Sequence, residues 1–155
     1  MIKYYGMDGQ PITEDEWIAM IGDDSARRVA MTRLDHNGNV LMDVGLRGHV
    51  DWDTAEFDLV IHIDISTVLL GLDHGFGNTD RPVIFETMTF GPIEIDQHLF
   101  RYSTLAEAQA GHIEVVTFVR TILDVMHIDV GGEPSGGSTP GGDPLGGSTP
   151  GDVPR

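Results

Sequence analysis

The chain has 155 residues, no cysteine, and 25 acidic side chains against 9 basic ones, a formal net charge of −16. The length fits one domain of ordinary size, and the missing cysteines exclude disulfides, thiolate metal sites and a cysteine nucleophile. The charge works against unassisted binding to a phosphate backbone, where basic side chains release counterions, and suits solubility, a basic partner or a cation.

The opening MIKYYGMDG lacks the apolar stretch of a signal peptide, and no run approaches the ~18 apolar residues of a membrane helix. Ile2–Tyr5 reads as a short strand and Asp8-Gly9 as a turn. Thr13 with Glu16 three residues on makes a capping box, Ile12 and Trp17 stand at the staple positions, and three acidic residues suit the first turn. This predicts a short helix over Glu14–Ile21, ended near Gly22.

Arg28–Leu34 reads as a strand, and Asn37-Gly38 as a two-residue type I′ hairpin turn. Val40, Met42, Val44 and Leu46 alternate with their neighbours as in a half-buried strand. Gly48–Glu56 is polar and turn-like. Leu59, Ile61, Ile63 and Ile65 alternate again, and from Ser66 the second face turns apolar with Val68, Leu70 and Leu72. One strand over Phe57–Leu72 would be unusually long, so a bulge near Asp64–Ser66 or a change of cover is expected. Asp73–Arg81 is a Gly-rich loop, Val83–Phe90 a strand ended by Gly91-Pro92, and Leu99–Tyr102 another short strand. Thr104 and Glu107 form a second capping box. The helix after it has an apolar stripe at Leu105, Ala108, His112, Val115, Val119, Ile122 and Met126. After Val130 the composition changes to a Gly/Pro/Ser/Thr/Asp tract, with GGSTP at Gly136–Pro140 and again at Gly146–Pro150. It has little to bury and reads as a disordered tail over 131–155, after a single domain over 1–130.

Ser66–His112 reads STVLLGLDHGFGNTDRPVIFETMTFG, a connector, then RYSTLAEAQAGH. It resembles a family of small proteins encoded by phages of actinobacteria and related hosts, whose shared pattern is close to STVWLGLDH, a Gly-rich turn, PLIFETMVFG and RYSTEAEALAGH. The tight motif covers about a third of the chain. The resemblance implies a phage accessory protein in the cytoplasm of the host cell, or one carried in the virion, and it supplies no catalytic residue. The family usually has a shorter run before STVWLGLDH, which makes Asp35–Ile65 an elaboration here.

The candidate ligand-binding residues are Asp73, His74, Glu86 and His112, all inside this stretch. Glu86 alternates with Ile84, Met88 and Phe90, a face that reads as apolar, and a buried carboxylate needs a partner or a proton. One reading is structural: Glu86 pairs with Arg101 or with a histidine, and a Glu86–His112 pair orients the helix on the sheet. The other is a site in which Glu86, His74 and His112 converge on a ligand or metal, since one carboxylate and two imidazoles suit zinc or iron. Weaker cation candidates are His62 and Asp64, which share a strand face, and His49, Asp51 and Asp53. Asp35–Asn39 lacks the glycine offset and closing glutamate of a calcium loop. Gly75-Phe76-Gly77 is no dinucleotide fingerprint, and P-loop, G-x-S-x-G and HExxH motifs are absent.

The expected fold is α+β: an antiparallel sheet of four to five strands, the Leu105–Met126 helix on one face, and a short N-terminal helix. The expected function is a non-catalytic binding module with a protein partner. The alternatives are a virion or assembly protein, and a small ligand- or nucleotide-binding protein or enzyme using the 73–81 loop. No catalytic residue, cofactor, nucleic acid or membrane partner is expected.

Overall fold

The computed structural model describes residues 2–51, 61–75, 81–91 and 98–130, with side chains through residue 126. The first helix, α1 (Glu14–Ile21), begins at the expected capping box: Glu16 N donates to Thr13 Oγ1 (3.3 Å) and Thr13 N donates to Glu16 Oε2 (2.8 Å). Trp17 then ties α1 to the sheet, stacking on Tyr4 and donating its indole N–H to Leu70 O at 3.2 Å. Before α1, β1 (Tyr4–Tyr5) pairs with β2 (Pro11–Ile12), and after it comes a single turn, α2 (Asp24–Arg27). The strand β2 and the turn α2 carry too little pattern to be read from sequence.

Five strands make one antiparallel sheet in the order β4-β3-β5-β6-β7: β3 (Arg28–Asp35), β4 (Val40–Val44), β5 (His62–Leu69), β6 (Phe85–Phe90) and β7 (Leu99–Tyr102). The long helix α3 (Leu105–Val130) packs on one face, so the α+β expectation holds. Its capping box is also present, with Glu107 N donating to Thr104 Oγ1 (3.2 Å) and Thr104 N to Glu107 Oε2 (3.0 Å).

Three local expectations are corrected. The β3–β4 turn is not type I′, because Gly38 takes φ +80 while Asn37 stays at negative φ. Gly38 N bonds Asp35 O and Asp35 N bonds Asn39 O, each at 3.0 Å, the type I turn with a left-handed glycine that closes a longer loop. Asp35 selects it by accepting from the amides of Asn37 (2.8 Å) and Asn39 (2.9 Å). There is no bulge at Asp64–Ser66; the register shifts instead on β3, between Arg28 and Ala30 against β5 and between Arg33 and Leu34 against β4. Ile61 precedes β5 and is exposed, so the inward alternation starts at Ile63. Residues 52–60, where the long-strand expectation began, lie outside the described ones, as does the tail at 131–155.

The core is two apolar clusters under α3. Leu34, Ile63 and Ile65 meet Val115, Val119 and Leu123, while Met7, Val29, Leu69, Ile84 and Phe85 meet Ala108. Among the described side chains the buried helix stripe ends at Leu123 and not at the expected Met126, which is exposed. Between the two clusters, about one helix turn from Ala108 and one from Val115, lies His112.

Candidate functional site

Strand alternation puts Thr32, Thr67, Thr87 and Thr89 among the buried residues of the sheet. Threonine is a good strand former, but each hydroxyl needs a partner once buried. His112, 4 % exposed, supplies one to Thr32 and one to Thr67. Thr32 donates to Asp43 Oδ1 at 2.9 Å, and its own oxygen lies 2.9 Å from His112 Nε2. A carboxylate only accepts, so the Thr32 proton is committed to Asp43 and Nε2–H must donate to Thr32. The neutral ring then has Nδ1 as an acceptor, which takes the Thr67 hydroxyl at 2.8 Å. Thr87 in turn donates to Thr67 at 2.6 Å. One exposed carboxylate on an outer strand therefore orients a relay across β4, β3, α3, β5 and β6. Burial lowers the His112 pKa to about 4, and Asp43 opposes that fall.

The expected Glu86–His112 pair is not formed. In β6 the side chains of Phe85, Thr87 and Thr89 are buried while Glu86 alternates with them and is only half-buried. Glu86 lies directly across from Arg101 on β7 and accepts from its Nε at 3.0 Å, which is the other structural reading. His112 is satisfied by hydroxyls, so it has no need of a carboxylate in contact. Nor does His74 join these residues. Its amide bonds Val83 O at 2.8 Å, beside Asp73, whose Oδ1 accepts from Gly75 N (2.8 Å) and Val83 N (2.9 Å). The Val83 and Gly75 amides hold the Asp73 carboxyl below its ordinary pKa, so this residue fastens the base of the 73–81 loop. Positions 76–80 of that loop lie outside the described residues.

His62 and Asp64 do share a face, 3.8 Å apart, but both Asp64 oxygens are engaged by Arg33 at 2.7 and 2.8 Å. That bidentate pair makes Asp64 a structural anchor between β3 and β5. Of the other cation candidates, His49 and Asp51 are described and Asp53 is not. Among the described residues no group of three or more His, Asp or Glu is placed to hold a metal ion, and no helix is long and apolar enough to cross a membrane.

Beside the relay, α3 and β7 bound a groove of about 380 Å³ lined by Phe100, Tyr102, Gly111, Glu114, Val115 and Phe118. The strand contributes alternate residues, and the helix contributes positions spaced three and four apart, one face of each element. Phe100 and Phe118 remain 38 % and 45 % exposed, and the His98 ring sits 5.7 Å from that of Phe118. Burial raises the Tyr102 pKa, the Thr87 hydroxyl offsets part of the rise, and Glu114 adds to it. Through Thr87 the floor of the groove adjoins the relay. Sequence reasoning missed both features. The signals were a threonine on the inward face of each of β3, β5 and β6, and Phe100-x-Tyr102 opposite Gly111-x-x-Glu114-x-x-x-Phe118.

Comparison with family models, with curated proteins and with solved structures gives no match. The functional reading therefore rests on the geometry.

Proposed function

We propose that this protein is a non-catalytic binding module, a small accessory protein of phage type that docks a polypeptide partner in the groove between β7 and α3. The observation that carries the reading is the pair of large exposed rings, Phe100 and Phe118, lining one concave surface with Tyr102 at its side. Aromatic anchors in a groove are the usual energetic centre of a protein interface. His112 supports the non-catalytic part: both ring nitrogens are bonded to threonines and the ring is buried. The phage origin is supported by the motifs in Ser66–His112.

The test is affinity capture from actinobacterial host lysate on the immobilised full chain, with Phe118→Ala and Phe100→Ala as matched references. A protein retained by the parent chain and lost from both variants supports the reading. Equal retention by all three, or no retained protein, removes it.

A further inference from the structure

Resting on that docking reading, we propose that the groove takes an arginine side chain from an extended, basic polypeptide segment lying along β7. Four observations converge on this chemistry. Among the described lining residues the only carboxylate is Glu114, no lysine or arginine stands among them, and it makes no ion pair with another described residue. Phe100, Tyr102 and Phe118 surround the same space, and ring faces attract cations, arginine more often than lysine. A guanidinium is flat enough to stack on a ring and still present paired N–H donors to one carboxylate. A neutral apolar residue would fill the space but leave Glu114 beside it unpaired and partly desolvated.

The second pair of observations concerns the segment that carries the arginine. The chain has a net charge of −16, which draws a basic partner toward it and repels an acidic one or a second copy. Among the described residues β7 is the outermost strand of the sheet on this side. A strand added there would project every second side chain over Phe100 and Tyr102, onto the face that α3 completes. Arg101 does not guard this edge with a free charge, because Glu86 holds it on the neighbouring strand at 3.0 Å. The groove therefore offers one specific position to a cation, within a broader field that favours basic segments.

The experiment uses the full chain and a fluorescein-labelled peptide of alternating valine and arginine, read by fluorescence anisotropy. The same peptide with glutamate in place of arginine is the charge control. Glu114→Gln and Phe118→Ala both change exposed side chains, and circular dichroism checks that each variant is folded. Asp15→Asn, on α1, controls for the general negative field. The arginine peptide is expected to bind, the glutamate peptide not to bind, Glu114→Gln and Phe118→Ala each to weaken binding about tenfold or more, and Asp15→Asn to change it less than about twofold. Failure of the arginine peptide to bind overturns the proposal. So does unchanged affinity in Glu114→Gln, or a loss in Asp15→Asn as large as in Glu114→Gln. The two readings separate cleanly: if the peptide fails while Phe118→Ala still loses its partner in the capture experiment, only the arginine assignment falls. If Phe118→Ala loses nothing in capture, docking at this groove falls with it.

Discussion

The Tyr102 ring lies against the backbone of α3 at Gly111, so close that a Cβ at position 111 would overlap the ring carbons and the hydroxyl together. Glycine in mid-helix costs about 1 kcal/mol against alanine, and here its absent side chain is what lets β7 and α3 meet. Gly111→Ala is expected to destabilise by about 1–3 kcal/mol despite its better helix propensity, because the ring must move or the helix must lift. In Tyr102→Ala, which removes the obstacle, the same glycine change should cost nothing or stabilise. Urea unfolding of the four proteins of that cycle is the check, and a destabilising Gly111→Ala in the Tyr102→Ala background would show that the overlap is not the cause.

His112 and Glu86 should behave as independent residues. Removing the imidazole leaves the Thr32 and Thr67 hydroxyls short of partners and opens a cavity, so His112→Ala is expected to cost about 2–4 kcal/mol. Glu86→Gln keeps the side chain's shape and a hydrogen-bond acceptor for Arg101 at the sheet edge, and should cost less than about 1 kcal/mol. The two effects are expected to add within about 0.5 kcal/mol. A larger interaction energy in the double variant would mean that imidazole and carboxylate communicate after all.

The way these residues read in the sequence shows what pattern can and cannot deliver. The capping boxes at Thr13 and Thr104 were legible because their hydrogen bonds are local, closing over three residues. The inward face of β5 and the stripe on α3 were legible because burial imposes a period on the chain. The partner of His112 was not. It depends on three threonines and an aspartate from four strands, and the register that sets Thr67 opposite Thr87 and Thr32 opposite Ile65, diagonal to Thr67, is a tertiary fact. Threonine also reads as an ordinary strand residue, so nothing local marks it as the answer to a buried imidazole. Placing Glu86 on the face that α3 covers was the step that failed: Glu86, Met88 and Phe90 lie on the other face of β6, where Arg101 partners the carboxylate. The groove was hidden for a related reason: its two walls come from separate elements, and neither Phe100-x-Tyr102 nor the Gly111–Phe118 face is unusual by itself.

The donor order in the relay sets a ranking for two isosteric changes. Thr67→Val removes the only hydroxyl donating to His112 Nδ1 and leaves that nitrogen buried and bare. Thr87→Val removes a donor to Thr67, whose own proton still reaches the imidazole. The first is expected to cost about 1–3 kcal/mol and the second measurably less. Denaturant midpoints give the ranking directly. Equal costs would mean the hydroxyls run in the opposite sense, with the imidazole proton on Nδ1.

Stability should fall as the pH drops through the histidine range, and His112 should account for a definable share. Its pKa is about 4 in the folded protein against an ordinary 6.5, with burial as the main cause. The folded value is the lower one, so the unfolded chain takes up the proton first. The contribution is therefore fully present above about pH 6.5, is lost progressively as pH falls toward about 4, and levels off below that. Thr32, Thr67 and Asp43 are the groups that face the ring from the strands packed against it, and of these Asp43 favours the charged form. Between about pH 7 and about pH 5 the expected loss is about 2 kcal/mol. The carboxyls held at lowered pKa, Asp73 among them, act in a lower window because their unfolded values lie near 4. His112→Gln, which keeps a donor and an acceptor but does not titrate, should flatten the profile over the upper window and leave the lower one unchanged. The measurement is urea unfolding at dilute protein, since the sequence isoelectric point of about 4.4 lies at the acid end of the range. An identical slope in parent and His112→Gln over the upper window would show that the buried imidazole takes up its proton as readily as a free one.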